Sequence, residues 1–236
     1  MNPVAIFRHA PTEGPGYFAT VLDRHRIPWR LIKVDAGEAV PEDPRAFSGL
    51  AFMGGPMSVN DDLPWIAPVL QLIRASVDVG VPVLGHCLGG QLMSKALGGA
   101  VSRTPLKEIG WGEVMVLDNP AAQQWFGRAA KSFVAFHWHG EMFTVPLGAE
   151  RVLANPYCEN QAFALGPHLG MQCHIEMTRD LVDVWCATGA REINRSQSPA
   201  VQTVETIKAD LEPRLQALHS VADGVYAGWI NRLVKQ

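Results

Sequence analysis

From residue 4 to residue 97 the chain alternates short, mostly apolar runs with segments of helical spacing. Val4–Phe7, Leu31–Val34, Gly49–Met53 and Val81–Gly85 read as buried strands. Tyr17–His25, Ile66–Val79 and Gln91–Leu97 carry apolar residues at helical intervals. Strands that alternate with helices are joined by crossover connections, and crossovers make neighbouring strands parallel. The chain is therefore expected to build an α/β domain with a mainly parallel sheet and helices on both faces.

Farther along, the pattern changes. Glu113–Leu117, Phe133–Phe136, Val152–Ala154, Gln161–Leu165 and Met171–His174 read as short strands, with turns such as Asn119-Pro120, Asn155-Pro156 and Gly166-Pro167 between them. Some of these strands are expected to pair antiparallel near one edge of the sheet. In residues 200–236, Val204, Leu211, Leu215, Leu218, Val225, Trp229 and Leu233 follow helical spacing, and Pro213 marks a helix start or kink. The segment reads as a C-terminal helical extension of a single domain spanning 1–236. Its apolar stripe is expected to pack on the sheet; a homodimer or partner contact is the alternative.

Composition narrows the function classes. A net charge of −3 with no run of Lys or Arg gives no case for a nucleic-acid partner. No apolar stretch approaches the roughly 20 residues that span a bilayer, and the N-terminus lacks a signal-peptide core. The cysteines, Cys87, Cys158, Cys173 and Cys186, match neither a CxxC motif nor a secreted disulfide scaffold. A cytoplasmic chain with reduced thiols is expected. His137, His139, Cys158, Cys173 and His174 offer zinc-compatible ligand types, but their spacing fits no known zinc site. No metal and no cofactor are expected.

The strongest local signal is Val83-Leu84-Gly85-His86-Cys87-Leu88-Gly89-Gly90-Gln91, which follows an expected strand and opens an expected helix. Gly85-x-Cys87-x-Gly89 has the spacing of a nucleophile elbow with cysteine in place of serine. A sharp strand-to-helix turn leaves no room for bulky neighbours two residues away. It also aims the N–H groups and dipole of the helix at the thiol, which favours the thiolate. The N–H of Leu88 would face an oxyanion formed at the attacked carbon. A buried cysteine in a glycine-rich turn, there only to pack, is the plainer reading.

A thiolate nucleophile wants a histidine beside it, and the histidine wants an acceptor that fixes its tautomer. In an extended segment His174 and Glu176 share a face, so Glu176 could take the Nδ1–H while Nε2 faces Cys87. Alone, His-x-Glu is equally a satisfied structural pair. Phe52-Met53-Gly54-Gly55-Pro56 follows the third expected strand, and Gly55 N–H is a candidate second oxyanion donor. No phosphate-binding glycine pattern occurs.

Gly-Gly-Pro, Gly-x-Cys-x-Gly-x-Gln and Gln-x-His-x-Glu, in that order, together resemble the class I glutamine amidotransferase family. The resemblance covers residues 45 to 180, and is greatest to the glutaminase domain of GMP synthetase and its stand-alone relatives. It implies a flavodoxin-like, doubly wound, mainly parallel fold and a Cys87–His174–Glu176 triad. It also implies a γ-glutamyl thioester on Cys87, which releases ammonia or an amine and is then hydrolysed to glutamate. By the same resemblance Trp138-His139-Gly140-Glu141 matches a segment that holds the ends of glutamine. Glu141 would then bind the α-ammonium, and Gln91 would touch the substrate. The acid here is Glu where relatives carry Asp, and His86 stands where relatives carry an apolar residue.

Three functions stay open on this reading. The chain could deliver ammonia to a separate synthetase subunit, since no ATP motif is present. It could hydrolyse γ-glutamyl peptides or amines without a partner. It could be a catalytically silent binding or regulatory module of the same fold.

Overall fold

A computed structural model describes residues 1–235; the last residue of the expected C-terminal extension, Gln236, lies outside the described residues. The first half follows the expected alternation. β1 (Val4–Arg8), α1 (Gly16–Arg24), β2 (Trp29–Lys33), β3 (Gly49–Phe52), α2 (Ile66–Asp78), β4 (Val83–His86) and α3 (Leu88–Ala96) succeed one another along the chain. Then come β5 (Val101–Val116), α4 (Pro120–Phe126), β6 (Ser132–Phe143), β7 (Glu150–Ala154), β8 (Ala162–Leu165) and β9 (His168–Met171). Three helices close the described chain, α5 (Arg179–Arg195), α6 (Val204–Lys208) and α7 (Leu211–Ile230).

Among the described residues nine strands form one sheet in the order β2-β1-β3-β4-β9-β8-β7-β5-β6. The β2, β1, β3, β4 and β9 neighbours pair parallel, and every pairing from β9 outward is antiparallel. The sheet is thus mixed, not mainly parallel throughout. The physical reason lies in the connections. Two residues join β8 to β9, which permits only a hairpin, whereas helices return the chain between the parallel strands. Antiparallel pairing on one side of the sheet, expected from the turn-rich middle of the chain, is present.

Alternation within each strand divides the core in two. Val4 and Ile6 of β1 pack with α1, α5 and α7, while Ala5 and Phe7 pack with α2 and α3. The same alternation sends Ala51 to the first face and Leu50 and Phe52 to the second. Both faces of the parallel half are therefore covered by helices, as its near-continuous apolar strands require. The C-terminal extension belongs to the first face. Tyr226 and Trp229 of α7 are fully buried. A Cβ on Gly49 would lie 2.8 Å from the Trp229 ring, so α7 lies directly on β3. Pro213 stands in the first turn of α7, just after Asp210 in a left-handed conformation (φ 51°), and starts the helix without kinking it.

Two expected boundaries move. β5 and β6 run far longer than the short strands expected at 113–117 and 133–136, and form a two-stranded ribbon with a register shift between Arg103 and Glu108. β9 ends at Met171, before His174. The chain there leaves the sheet and crosses to β6: His174 N–H donates to Phe136 O at 2.8 Å and Phe136 N–H to His174 O at 3.2 Å. Among the described residues no helix is long and apolar enough to cross a membrane.

Candidate active site

The carboxyl ends of four parallel strands, β1, β3, β4 and β9, meet at one place, where α/β folds gather their ligand-binding loops. β4 delivers Cys87 there. Cys87 has φ 50° and ψ −107°, a conformation that costs a non-glycine residue about 1–3 kcal/mol. Packing holds it in place. Cys87 N–H donates to Met171 O at 2.8 Å, which ties the turn to β9. A Cβ on Gly85 would stand 2.5 Å from the Gly89 carbonyl carbon, and one on Gly89 would stand 2.0 Å from Phe52 O. Only glycine lets strand, helix start and β3 approach so closely. The Sγ of Cys87 lies 3.8 Å from Trp138 O and accepts from Gln172 Nε2 at 3.5 Å.

His174 arrives from the crossing between β9 and β6. Its Nδ1 is 2.6 Å from Glu176 Oε1. Nε2 is buried and has no hydrogen-bond partner of ordinary geometry among the described residues. Burial alone would lower the His174 pKa, but the charge of Glu176 and the neighbouring Cys87 thiol outweigh it and hold the ring well above its usual range. Glu176 shows the opposite balance. Burial would raise its carboxyl, yet His86 and His174 bring it down to about 2. His86, at the end of β4, meets Glu176 from the side of α7. Its Nε2 is 3.7 Å from Glu176 Oε2 and 3.0 Å from the Tyr226 hydroxyl of α7. All three of these side chains are essentially without solvent contact.

Cys87, His174, Gly55, Gln91, Trp138, His139 and Glu141 line one pocket of about 820 Å³, while Glu176 and Leu88 are buried and do not line it. The Gly54–Gly55 turn leans on the elbow, since a Cβ on Gly55 would touch Leu88 Cδ2 at 2.6 Å. Among the described residues neither Gly55 N–H nor Leu88 N–H has an acceptor. His9, buried at the end of β1, fixes the turn through Nδ1, 3.0 Å from Met53 O and 3.3 Å from Gly54 O. Burial pushes the His9 pKa down to about 4, so at neutral pH its ring is uncharged and Nδ1–H donates.

The four residues expected at the substrate are disposed differently from one another. Glu141 accepts from Ser58 Oγ at 3.1 Å and has its carboxylate on the pocket. Gln91 turns its amide inward, donating to Gln172 Oε1 at 3.1 Å and to Glu141 O at 3.4 Å. Trp138 offers its carbonyl to the thiol, while its indole N–H reaches Glu192 Oε2 at 2.9 Å. The His139 ring has Nδ1 3.1 Å from Glu141 O, a hydrogen bond, and Nε2 3.2 Å from Glu108 Oε1, a close approach without hydrogen-bond geometry. Its ring therefore buttresses the segment that carries Glu141.

Glu108, His137 and His139 bring ligand atoms within 4.8 Å of one another, the geometry of a metal-ligand group among the described residues. The donors around Glu108 argue against a cation. Asn155 Nδ2 donates to Oε2 at 2.6 Å and Gln161 Nε2 to Oε1 at 2.9 Å, so N–H groups already point at both oxygens. Burial would raise the Glu108 pKa, but His139, His137 and Asn155 hold it below its ordinary value.

Several residues at the site have no sequence signal pointing to them. Glu13, in the loop after β1, lines the pocket. Tyr226 and Glu108 come from segments far away in the chain. Gln172 belongs to the Gln-x-His-x-Glu motif, and the structure adds its contact with the sulfur.

Residues 25–183 match the class-I glutamine amidotransferase family. The glutamine amidotransferase-like protein YfeJ of Salmonella typhimurium is 31% identical over 183 residues, which cover 74% of this chain and 76% of that protein. GMP synthase [glutamine-hydrolyzing] of Aeropyrum pernix is 34% identical over 197 residues, covering 80% of this chain. The match spans only 36% of that synthase's length. Among solved structures, a glutamine amidotransferase from Methylobacillus flagellatus superposes with a TM-score of 0.97 at 41% identity, covering 100% of this chain and 97% of the other. Another from Thermotoga maritima gives 0.84 at 25% identity, covering 97% and 98%. With its sheet, its elbow and these matches in agreement, the chain belongs to the class-I glutamine amidotransferase family.

Proposed function

We propose that the protein is a cysteine-nucleophile amidase that cleaves the γ-amide of glutamine or of a γ-glutamyl amide. The observation that carries this reading is the convergence, on one pocket, of Cys87 at a strained elbow and a buried His174 bonded to Glu176 at 2.6 Å. The Cys87 sulfur, as thiolate, attacks the γ-carbonyl carbon. The carbonyl oxygen becomes an oxyanion served by the unengaged N–H groups of Gly55 and Leu88. His174 gives its Nε2 proton to the nitrogen, the C–N bond breaks, and ammonia or an amine leaves. A water then attacks the thioester while His174 takes its proton; the sulfur leaves and glutamate is released. Glu176 holds the imidazole with Nδ1–H toward itself, and so keeps Nε2 for the proton transfers. The γ-glutamyl end is assigned to Glu141, for the α-ammonium, with Gln91 and the backbone of Trp138 and His139 beside it.

Hydrolysis without a synthetase is the second reading, and the pocket favours it. Its volume of about 820 Å³ lies toward the top of the ~300–1,000 Å³ range of small-molecule sites and leaves room beyond a bound γ-glutamyl group. Delivery of ammonia to a synthetase subunit has support in the GMP synthases that share this domain. Glutamine and a series of γ-glutamyl amides, assayed for both amine and glutamate, decide between them. A chain that cleaves substituted amides faster than glutamine is a stand-alone hydrolase. Cys87→Ala is expected to lower either activity by about 10⁴-fold or more; comparable turnover by that variant would remove the nucleophile from the account.

A further inference from the structure

Glu13 plays no part in the triad, yet it stands on the wall of the same pocket. Among the described residues no hydrogen bond or ion pair reaches its carboxyl group. Its Oε2 lies 2.8 Å from the point where a Cβ on Gly54 would stand, and His174 Cε1 lies 3.1 Å from that same point. Carboxyl and imidazole therefore flank Gly54 and are no farther apart than those two distances combined. Burial pushes the Glu13 pKa up to about 7; the charge of His174 works against that rise and the charge of Glu176 adds to it. A carboxylate in such a place is ionised at a cost, and a cationic ligand would offset that cost.

The position relative to His174 says which part of a substrate would meet it. His174 serves the departing nitrogen, so a group beside its ring is next to the leaving amine. The γ-glutamyl end is assigned elsewhere: Glu141 is bonded to Ser58, and Gln91 to Gln172. Of the cationic side chains on the pocket, Lys107 is paired with Glu192, and Arg103 makes no ion pair with Glu13. We propose that Glu13 forms the leaving-group subsite and selects γ-glutamyl amides whose departing amine carries a second, positively charged group, as a diamine does. This deepens the Cys87 reading and names its substrate class. The released diamine keeps its ammonium on Glu13 while His174 protonates the nitrogen that was acylated.

The test uses three γ-glutamyl amides of similar size, with ethane-1,2-diamine, n-propylamine and glycine as the leaving amines. At pH 8 the cationic amide is expected to exceed the neutral one in kcat/KM by about tenfold, the effect of one partly desolvated charge pair, with the anionic amide slowest. In Glu13→Gln the cationic-to-neutral ratio should fall to about one. A wild-type enzyme indifferent to leaving-group charge, or a variant that loses the same factor on all three amides, would overturn the proposal. Calorimetry of free ethane-1,2-diamine binding requires no turnover. Binding about tenfold weaker in Glu13→Gln supports the subsite, and equal binding by the two proteins refutes it. Diamine binding through Glu13 in a protein that cleaves no amide would leave the subsite standing and remove the Cys87 reading instead.

Discussion

Cys87 is set apart from the other three cysteines by its surroundings. It is the one on the pocket wall, with Gln172 donating to its sulfur. Cys158, Cys173 and Cys186 are free thiols buried in the core. Burial pushes Cys158 up to about 12 and moves Cys173 and Cys186 in the same direction. Thiolate is the species that reacts with alkylating agents. Iodoacetamide near neutral pH is therefore expected to label Cys87 in the folded protein and to leave the other three unmodified until it unfolds. Peptide mapping after brief exposure checks this, and even labelling of all four would contradict it. At this scale the sequence carries a good deal. The elbow glycines are legible because two backbones must touch there. His174 and Glu176 are legible because residues two apart share a face even though β9 ends before them. Glu13 is not legible: it sits in an aperiodic turn, and only the fold brings that turn to the far later His174.

Among the elements, α7 does more than cover β3. Its Tyr226 hydroxyl meets His86 Nε2 at 3.0 Å, and that nitrogen stands 3.7 Å from Glu176 Oε2, an oxygen with no hydrogen bond among the described residues. In the proposed mechanism Tyr226 reaches the triad through His86 and Glu176, as a positioning residue. Tyr226→Phe is expected to lower kcat by about tenfold, near the ~1–1.5 kcal/mol of one buried hydrogen bond, with KM little changed and the pH profile shifted. A loss of thermal stability with an unaltered kcat and pH profile would reduce α7 to packing. The helical stripe from Val204 to Leu233 makes the element itself legible, but not its reach to the site, because the contact joins residues 140 positions apart. The expected elements also stop at 174 and resume at 200, omitting α5. Its Val182, Trp185, Cys186 and Ile193 have helical spacing, and Thr178 caps it through Leu181 N–H. The length of the β5–β6 ribbon is hidden for another reason: glycines and charges interrupt its alternation, and partner strands, more than local preference, extend it.

Taken whole, the molecule holds several imidazoles in its interior, and this fixes how its stability depends on pH. Burial lowers His9, His137 and His168 to about 4, and lowers His86 as well. Each is depressed below the 6.5 of an unfolded chain, so its contribution is complete above pH 6.5 and is lost as pH falls through the folded value. Glu13 works the other way. Its folded value of about 7 exceeds the unfolded 4.5, so it favours the fold below 4.5 and loses that effect as pH rises through 7. Between 6.5 and 4.5 the four imidazoles outnumber the one carboxyl. The melting temperature is expected to fall steadily over that interval, as a scanning calorimetry series would record; a level curve would contradict it. Charge and composition leave this invisible in the sequence, since a histidine's burial is a property of the fold. Rapid acid quenching during turnover of glutamine or a γ-glutamyl amide, followed by peptide mapping in a mass spectrometer, traps whatever acyl group the protein carries. One γ-glutamyl group in thioester linkage is expected on the peptide carrying Cys87, and none in Cys87→Ala. Turnover with no adduct on that peptide, or with the adduct on another residue, would contradict it.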